Sequence, residues 1–210
     1  MRTARTLLVL RHGQTAHNAA GIYQGHTDTE LSAAGREQAR KAGAALRVCS
    51  PQQIVCSDLR RAKATAQAVA LACGSVVQVE PALREIDVGA WAGLSHDEVN
   101  ERYPEAVSAM SAGEDVRRGE YGETSAEVAS RTAAVAVRTV SELKVGQSAV
   151  LVGHGFASWV MTAHLMRWST DRAREVLSRL ENGRWGELAW NPQGWELLGW
   201  NLSEVPTGAG

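Results

Sequence analysis

The stretch "LLVLRHGQTAHN", residues 7–18, places a guanidinium and an imidazole directly behind an apolar run. Leu7 to Leu10 are aliphatic without a polar break, so 6–10 reads as a strand buried on both faces. Arg11, His12 and Gly13 follow with no spacer. Most Arg-His pairs are solvated loop residues. Behind a buried strand, this one falls where open α/β sheets gather their ligands, beyond the carboxyl ends of the strands.

Three other stretches share that placement. "QIVCS" (53–57) reads as a short strand leading to Arg60 and Arg61, and "VVQV" (76–79) as a strand buried on both faces leading to Glu85. "AVLV" (149–152) ends at His154, whose neighbours Gly153 and Gly155 permit close backbone approach to a ligand. Helical patterns lie between these runs. Residues 32–47 form one, with Ser32 as N-cap. In 60–73, Ala62, Thr65, Ala66, Val69, Ala70 and Cys73 share one small-residue face, which makes Cys73 a core thiol. Capping boxes at Ser95/Glu98 and Thr124/Glu127 start a short helix ending near Pro104 and a long one through Leu143.

Residues 105–123 are poor in aliphatics and read as an excursion over a surface. "NPQG" (191–194) separates two strand-like segments, a terminal hairpin packed by Trp185, Trp190, Trp195 and Trp200, and the chain closes on a loose tail, "EVPTGAG". Strands alternating with helices predict a three-layer α/β/α sandwich with a mostly parallel sheet. The C-terminal hairpin and a short cap insertion at about 95–123 complete one domain over 1–210.

A net charge of −1 with no long basic block argues against a nucleic-acid partner, and no apolar run reaches membrane-spanning length. Three cysteines without CxxC spacing, behind an apolar run too short for a signal peptide, suit reduced thiols in the cytoplasm. Arginine outnumbers lysine 19 to 3, so individual arginines are judged by position.

His12, His154, two or more arginines and Glu85 therefore converge on one mouth. That set suits phosphoryl transfer to an imidazole. A neutral histidine attacks phosphorus, guanidiniums hold the equatorial oxygens, and a carboxylic acid protonates the leaving oxygen. No HExxH-like pair is present, so neither metal nor cofactor is expected.

"LLVLRHGQTAHN", "SDLRRAKATA", "LREIDVGAWAGLS", "GETSAEV" and "VLVGHG", in this order, resemble the phosphoglycerate mutase-like branch of the histidine phosphatase superfamily. The resemblance implies His12 as the phosphorylated nucleophile, with Arg11, Arg61 and His154 as the phosphate pocket and Arg60 facing solvent. It implies Glu85, rather than Asp87, as acid and base, and places Thr15, Asn18 and Gln24 where relatives touch substrate or phosphate. The chain departs from the usual pattern at Glu30, Ala92 and Tyr121, positions expected near the rim. His17 and His26 are left between rim contact and plain surface, while His96 and His164 are expected to be structural.

A metal-independent phosphomonoesterase acting on a small phosphorylated metabolite, such as a sugar phosphate or glycosyl-phosphoglycerate, is the expected function. The insertion at 95–123 is short for a mutase, which has to enclose its phosphorylated product. A phosphoglycerate mutase is the alternative, and a non-catalytic module on the same fold the remote one. Arg102, Tyr103, Arg117 and Arg118 are candidates for a second anionic group of the substrate, and a homodimer is compatible with the sequence.

Overall fold

The computed structural model describes residues 4–204, so most of the terminal tail lies outside the described residues. In chain order the elements are β1 (Arg5–Arg11), α1 (Ala16–Ala20), α2 (Ala33–Leu46), β2 (Gln53–Cys56), α3 (Arg60–Cys73) and β3 (Val77–Val79). They continue as α4 (His96–Arg102), α5 (Pro104–Ser111), α6 (Ser125–Ser141), β4 (Ser148–Gly153), α7 (Gly155–Leu165), α8 (Thr170–Val176), β5 (Trp185–Asn191) and β6 (Gly194–Leu202).

The strands form one sheet in the order β3-β2-β4-β1-β5-β6. The first four are mutually parallel, and the terminal hairpin adds β5 antiparallel to β1. Alternate side chains of the central strands serve two cores, as a pleated strand dictates. Leu7, Val9, Ala149 and Leu151 pack with Val135, Ala136 and Val140 of α6 and Met161 of α7. Leu8, Leu10, Val150 and Val152 pack on the other face with Leu46 of α2 and Ala62, Ala66 and Val69 of α3. Both faces of β1 are thus buried, which is why its sequence shows no alternation. The hairpin tryptophans divide likewise: Trp185 joins the second core, Trp190 and Trp195 the first.

Ser32 accepts from the Gly35 amide, and both capping boxes are closed. Three expectations need correction. Residues 77–79 form an exposed edge strand, with Val76 and Val79 facing solvent, because none of the described residues packs outside β3. Cys73, in the last turn of α3, packs against the second core but is only partly buried; Cys56 is the buried thiol. The excursion contains α5 and covers a third core of its own. There Ile86, Val88, Trp91, Val99, Val128 and Val160 are buried beneath Tyr103, Val107 and Met110. Spread thinly over distant segments, this core leaves no local period to read.

Candidate active site

Sheet register builds the centre of the site. Arg11 is opposite Gly153 across the β1–β4 pair, and the His12 amide donates to the Gly153 carbonyl at 3.0 Å. The residues one step beyond the two strands, His12 and His154, are thereby brought side by side, with ring centroids 5.1 Å apart. The second turn of this arrangement comes from β2, which feeds α3 and with it Arg61. The chain leaving β3 brings Glu85 to the same mouth.

Arg11, His12, Arg61, Glu85 and Gly155, with Asn18 and Gln24, line one cavity of about 770 Å³. Arg11 is held by Nη1 donating to the Leu180 carbonyl at 2.6 Å. Arg61 donates from Nη1 to Thr27 and from Nη2 to Gly25, at 2.6 and 2.9 Å. Nε of both arginines and both ring nitrogens of His154 are buried without a hydrogen-bond partner among the described residues. Buried donors normally find acceptors, and this cluster could take an anion with several oxygens.

Burial pushes Arg11 down to about 10, with Arg61 and Arg179 adding to the effect, which still leaves it charged at neutral pH. Arg61 is lowered by burial too. Burial, together with these two guanidiniums, holds His12 and His154 well below the usual histidine range, so both are neutral. His12 Nδ1 lies 2.6 Å from the Gly13 carbonyl, which can only accept. The proton is therefore on Nδ1, and Nε2 carries the lone pair.

Glu85 is fixed at both carboxylate oxygens. Oε1 accepts from the Ile86 and Ala157 amides at 2.9 and 2.8 Å, and Oε2 from the Phe156 amide at 3.1 Å. It thereby caps the start of α7, the helix that follows His154. Gly155 lines the cavity and also makes room for Arg11. A Cβ there would stand 3.2 Å from Cζ and Nε of Arg11, so the glycine lets the guanidinium pack close to the backbone.

Asn18 Oδ1 accepts from the Thr15 amide and from Asn182, and Gln24 Oε1 accepts from the Thr15 and Thr29 hydroxyls. Their NH₂ groups have no acceptor among the described residues, and both residues line the cavity. Thr15 itself is buried, caps α1 and does not line the cavity. His17 stays outside, whereas His96 and His164, expected to be structural, are exposed on the outer wall. His26 sits behind the site and donates from Nε2 to the Glu85 carbonyl.

Arg118 lines the cavity with its guanidinium 5.6 Å above the Phe156 ring, but Arg102 and Arg117 turn outward to Glu98 and Glu127. Arg60 points away as well and pairs with Glu30, which accounts for that departure from the usual pattern. Ala92 and Tyr121 are exposed off the cavity.

Sequence reasoning passed over the far wall, where Trp168, Arg174, Leu177, Arg179 and Leu180 complete the cavity. It also missed Asn182, which donates to the His12 carbonyl at 3.0 Å across 170 residues of chain. The hydrophobic-to-polar spacing of 166–184 carries no motif that announces either.

Residues 7–203 match the model of the histidine phosphatase superfamily (branch 1). A glucosyl-3-phosphoglycerate phosphatase of Mycolicibacterium vanbaalenii is 36% identical over 217 residues, covering 95% of each chain. A "probable phosphoglycerate mutase GpmB" of Salmonella choleraesuis is 31% identical over 190 residues, covering 89% of this chain and 88% of that one. The solved structure of a mycobacterial glucosyl-3-phosphoglycerate phosphatase with VO3 superposes with a TM-score of 0.85 at 34% identity, over 94% of this chain and 99% of that one. The chain belongs to the histidine phosphatase superfamily, branch 1.

Proposed function

We propose that this phosphatase passes the phosphoryl group of a small phosphomonoester through Nε2 of His12. The observation that carries the reading is the neutral His12, its Nδ1 tied to Gly13, beside two buried guanidiniums whose Nε atoms, like both ring nitrogens of His154, have no partner among the described residues. Nε2 attacks phosphorus as the P–O bond to the leaving group breaks. Arg11, Arg61 and His154 hold the equatorial oxygens, where charge resides in the transition state. Glu85 gives its proton to the leaving oxygen. The resulting carboxylate then takes a proton from the water that attacks phosphohistidine, and inorganic phosphate departs.

The outer cavity supports a substrate larger than a three-carbon ester. Arg118, Arg174 and Arg179 offer charge for a second anionic group, and Trp91, Phe156, Trp159 and Trp168 offer flat apolar faces for a sugar ring. A glycosyl-phosphoglycerate has both features, and the mycobacterial relatives carry that substrate in their names. Exposure of His96, His164, Arg174 and Arg179 opens the wall to water, which favours hydrolysis over return of the phosphoryl group to the product.

The test is a panel of phosphomonoesters assayed with and without EDTA. Glucosyl-3-phosphoglycerate should be hydrolysed with the highest kcat/KM, and chelation should change nothing, because guanidiniums supply the positive charge. A requirement for a divalent ion would overturn the mechanism. Faster interconversion of 3- and 2-phosphoglycerate, primed with bisphosphoglycerate, than phosphate release would establish the mutase instead.

A further inference from the structure

Behind Glu85, outside the cavity, every N–H of one guanidinium is committed. Arg131 of α6 donates from Nε and Nη2 to Oε1 and Oε2 of Glu123 at 2.7 and 2.8 Å. Its Nη1 donates to the carbonyls of Ala82 and Arg84 at 2.8 and 2.7 Å, and Nη2 also reaches the Glu85 carbonyl at 2.9 Å. Glu123 in turn accepts from the Asp87 amide at 2.9 Å and donates its own amide to the Asp87 carbonyl at 2.9 Å. Thr124, and not Glu123, caps α6, so helix initiation does not explain the glutamate. Neither residue lines the cavity.

These bonds bracket Glu85 at 82, 84, 85 and 87, in a segment that belongs to no strand or α-helix. Such a segment holds a side chain to a fraction of an ångström only if its backbone is fixed from outside. We infer that the Arg131–Glu123 pair is a positioning device for Glu85, setting the carboxyl against the leaving oxygen and the attacking water. Only a planar fork with five donors meets both carboxylate oxygens and three carbonyls at once; a lysine ammonium, with three donors around one atom, does not. This inference rests on the role of Glu85 proposed above.

The experiment is a double-mutant cycle between Arg131→Lys and Glu85→Gln, read with an alkyl phosphate and with nitrophenyl phosphate. Thermal melts confirm that each variant is folded. Arg131→Lys should lower kcat for the alkyl ester about tenfold to a hundredfold, the scale of misplacing a reacting group by an ångström. The pre-steady-state rate of nitrophenolate release should stay within about threefold of wild type, since that leaving group needs no proton. In the Glu85→Gln background, Arg131→Lys should cost nothing further, because its effect runs through Glu85. Glu123→Gln, which frees Arg131 on one side only, should show the same pattern more weakly. It takes over the test if the lysine variant fails to fold.

Equal loss on both esters, or losses that multiply in the double variant, would overturn the positioning role while leaving Glu85 as acid and base. An absence of leaving-group selectivity in Glu85→Gln itself would overturn the Glu85 role and this inference with it.

Discussion

At the inner end of the cavity, Arg11, His12 and Arg61 are 6%, 2% and 1% exposed, with His154 fully buried against the His12 ring, and strand register or backbone carbonyls fix them. At the outer end Arg174, Arg179, His96 and His164 are exposed and come from helix surfaces and loops. The inner groups are desolvated and only partly partnered, and in the proposed mechanism they take the phosphate. The outer groups stay hydrated when empty and each contributes little. In the proposed mechanism chemistry belongs to the sheet, and substrate choice to what surrounds it.

Breaking the inner end should have the largest effects. His12→Ala should lower turnover by on the order of 10⁴-fold or more while circular dichroism and thermal unfolding stay near wild type. Near-normal turnover would remove His12 from the mechanism. Glu85→Gln should slow alkyl esters roughly 10²–10⁴-fold yet give a burst with nitrophenyl phosphate, as phosphohistidine accumulates for want of a base. Equal slowing of both esters without a burst would sink that assignment. Arg61→Lys should reduce kcat by about 10²–10³-fold, because an ammonium cannot hold the Gly25 and Thr27 carbonyls and still direct a donor at phosphorus oxygen.

The buried histidines also predict a stability signature. Each has its folded pKa well below the ordinary value, so below pH 6.5 the unfolded chain binds more protons than the folded one. Stability is therefore flat above pH 6.5 from this source and falls as pH drops below it, by up to about 2.7 kcal/mol per unit for two such groups. Urea unfolding between pH 7.5 and 5.5 should show the fall, and His154→Gln should lessen its slope. An unchanged slope would mean that His154 takes up its proton in the folded state.

The smallest effect belongs to the outer wall. Arg179→Gln should raise KM for a doubly anionic ester by about five- to tenfold, the worth of one charge-assisted hydrogen bond, with kcat retained. KM for nitrophenyl phosphate should not move. Equal changes for both substrates would place Arg179 with the phosphate pocket.

The same division governs what the sequence reveals. Arg11, His12 and His154 are legible because each directly follows a buried aliphatic run, and the chain itself records that adjacency. Ser95 and Thr124 are legible because their capping partners lie three residues on. Asn182 and Arg131 act across 170 and 46 residues, through carbonyls that every residue type possesses, so no local pattern marks them. Arg118 could be singled out among the arginines of its segment only once Arg117 was seen paired with Glu127. Trp91 is the intermediate case: Gly89 and Gly93 stand close to it in the sequence, and it is buried against the cavity.

The most direct test of the central claim is to locate the phosphoryl group on the enzyme. Wild type and Glu85→Gln mixed with ³²P-labelled substrate, quenched without acid and digested under alkaline conditions, should carry an acid-labile, base-stable label on His12. NMR of the phosphorylated protein should place it on Nε2, since Nδ1 is engaged with the Gly13 carbonyl. Label on Nδ1, on another residue, or in an acid-stable bond would contradict the account.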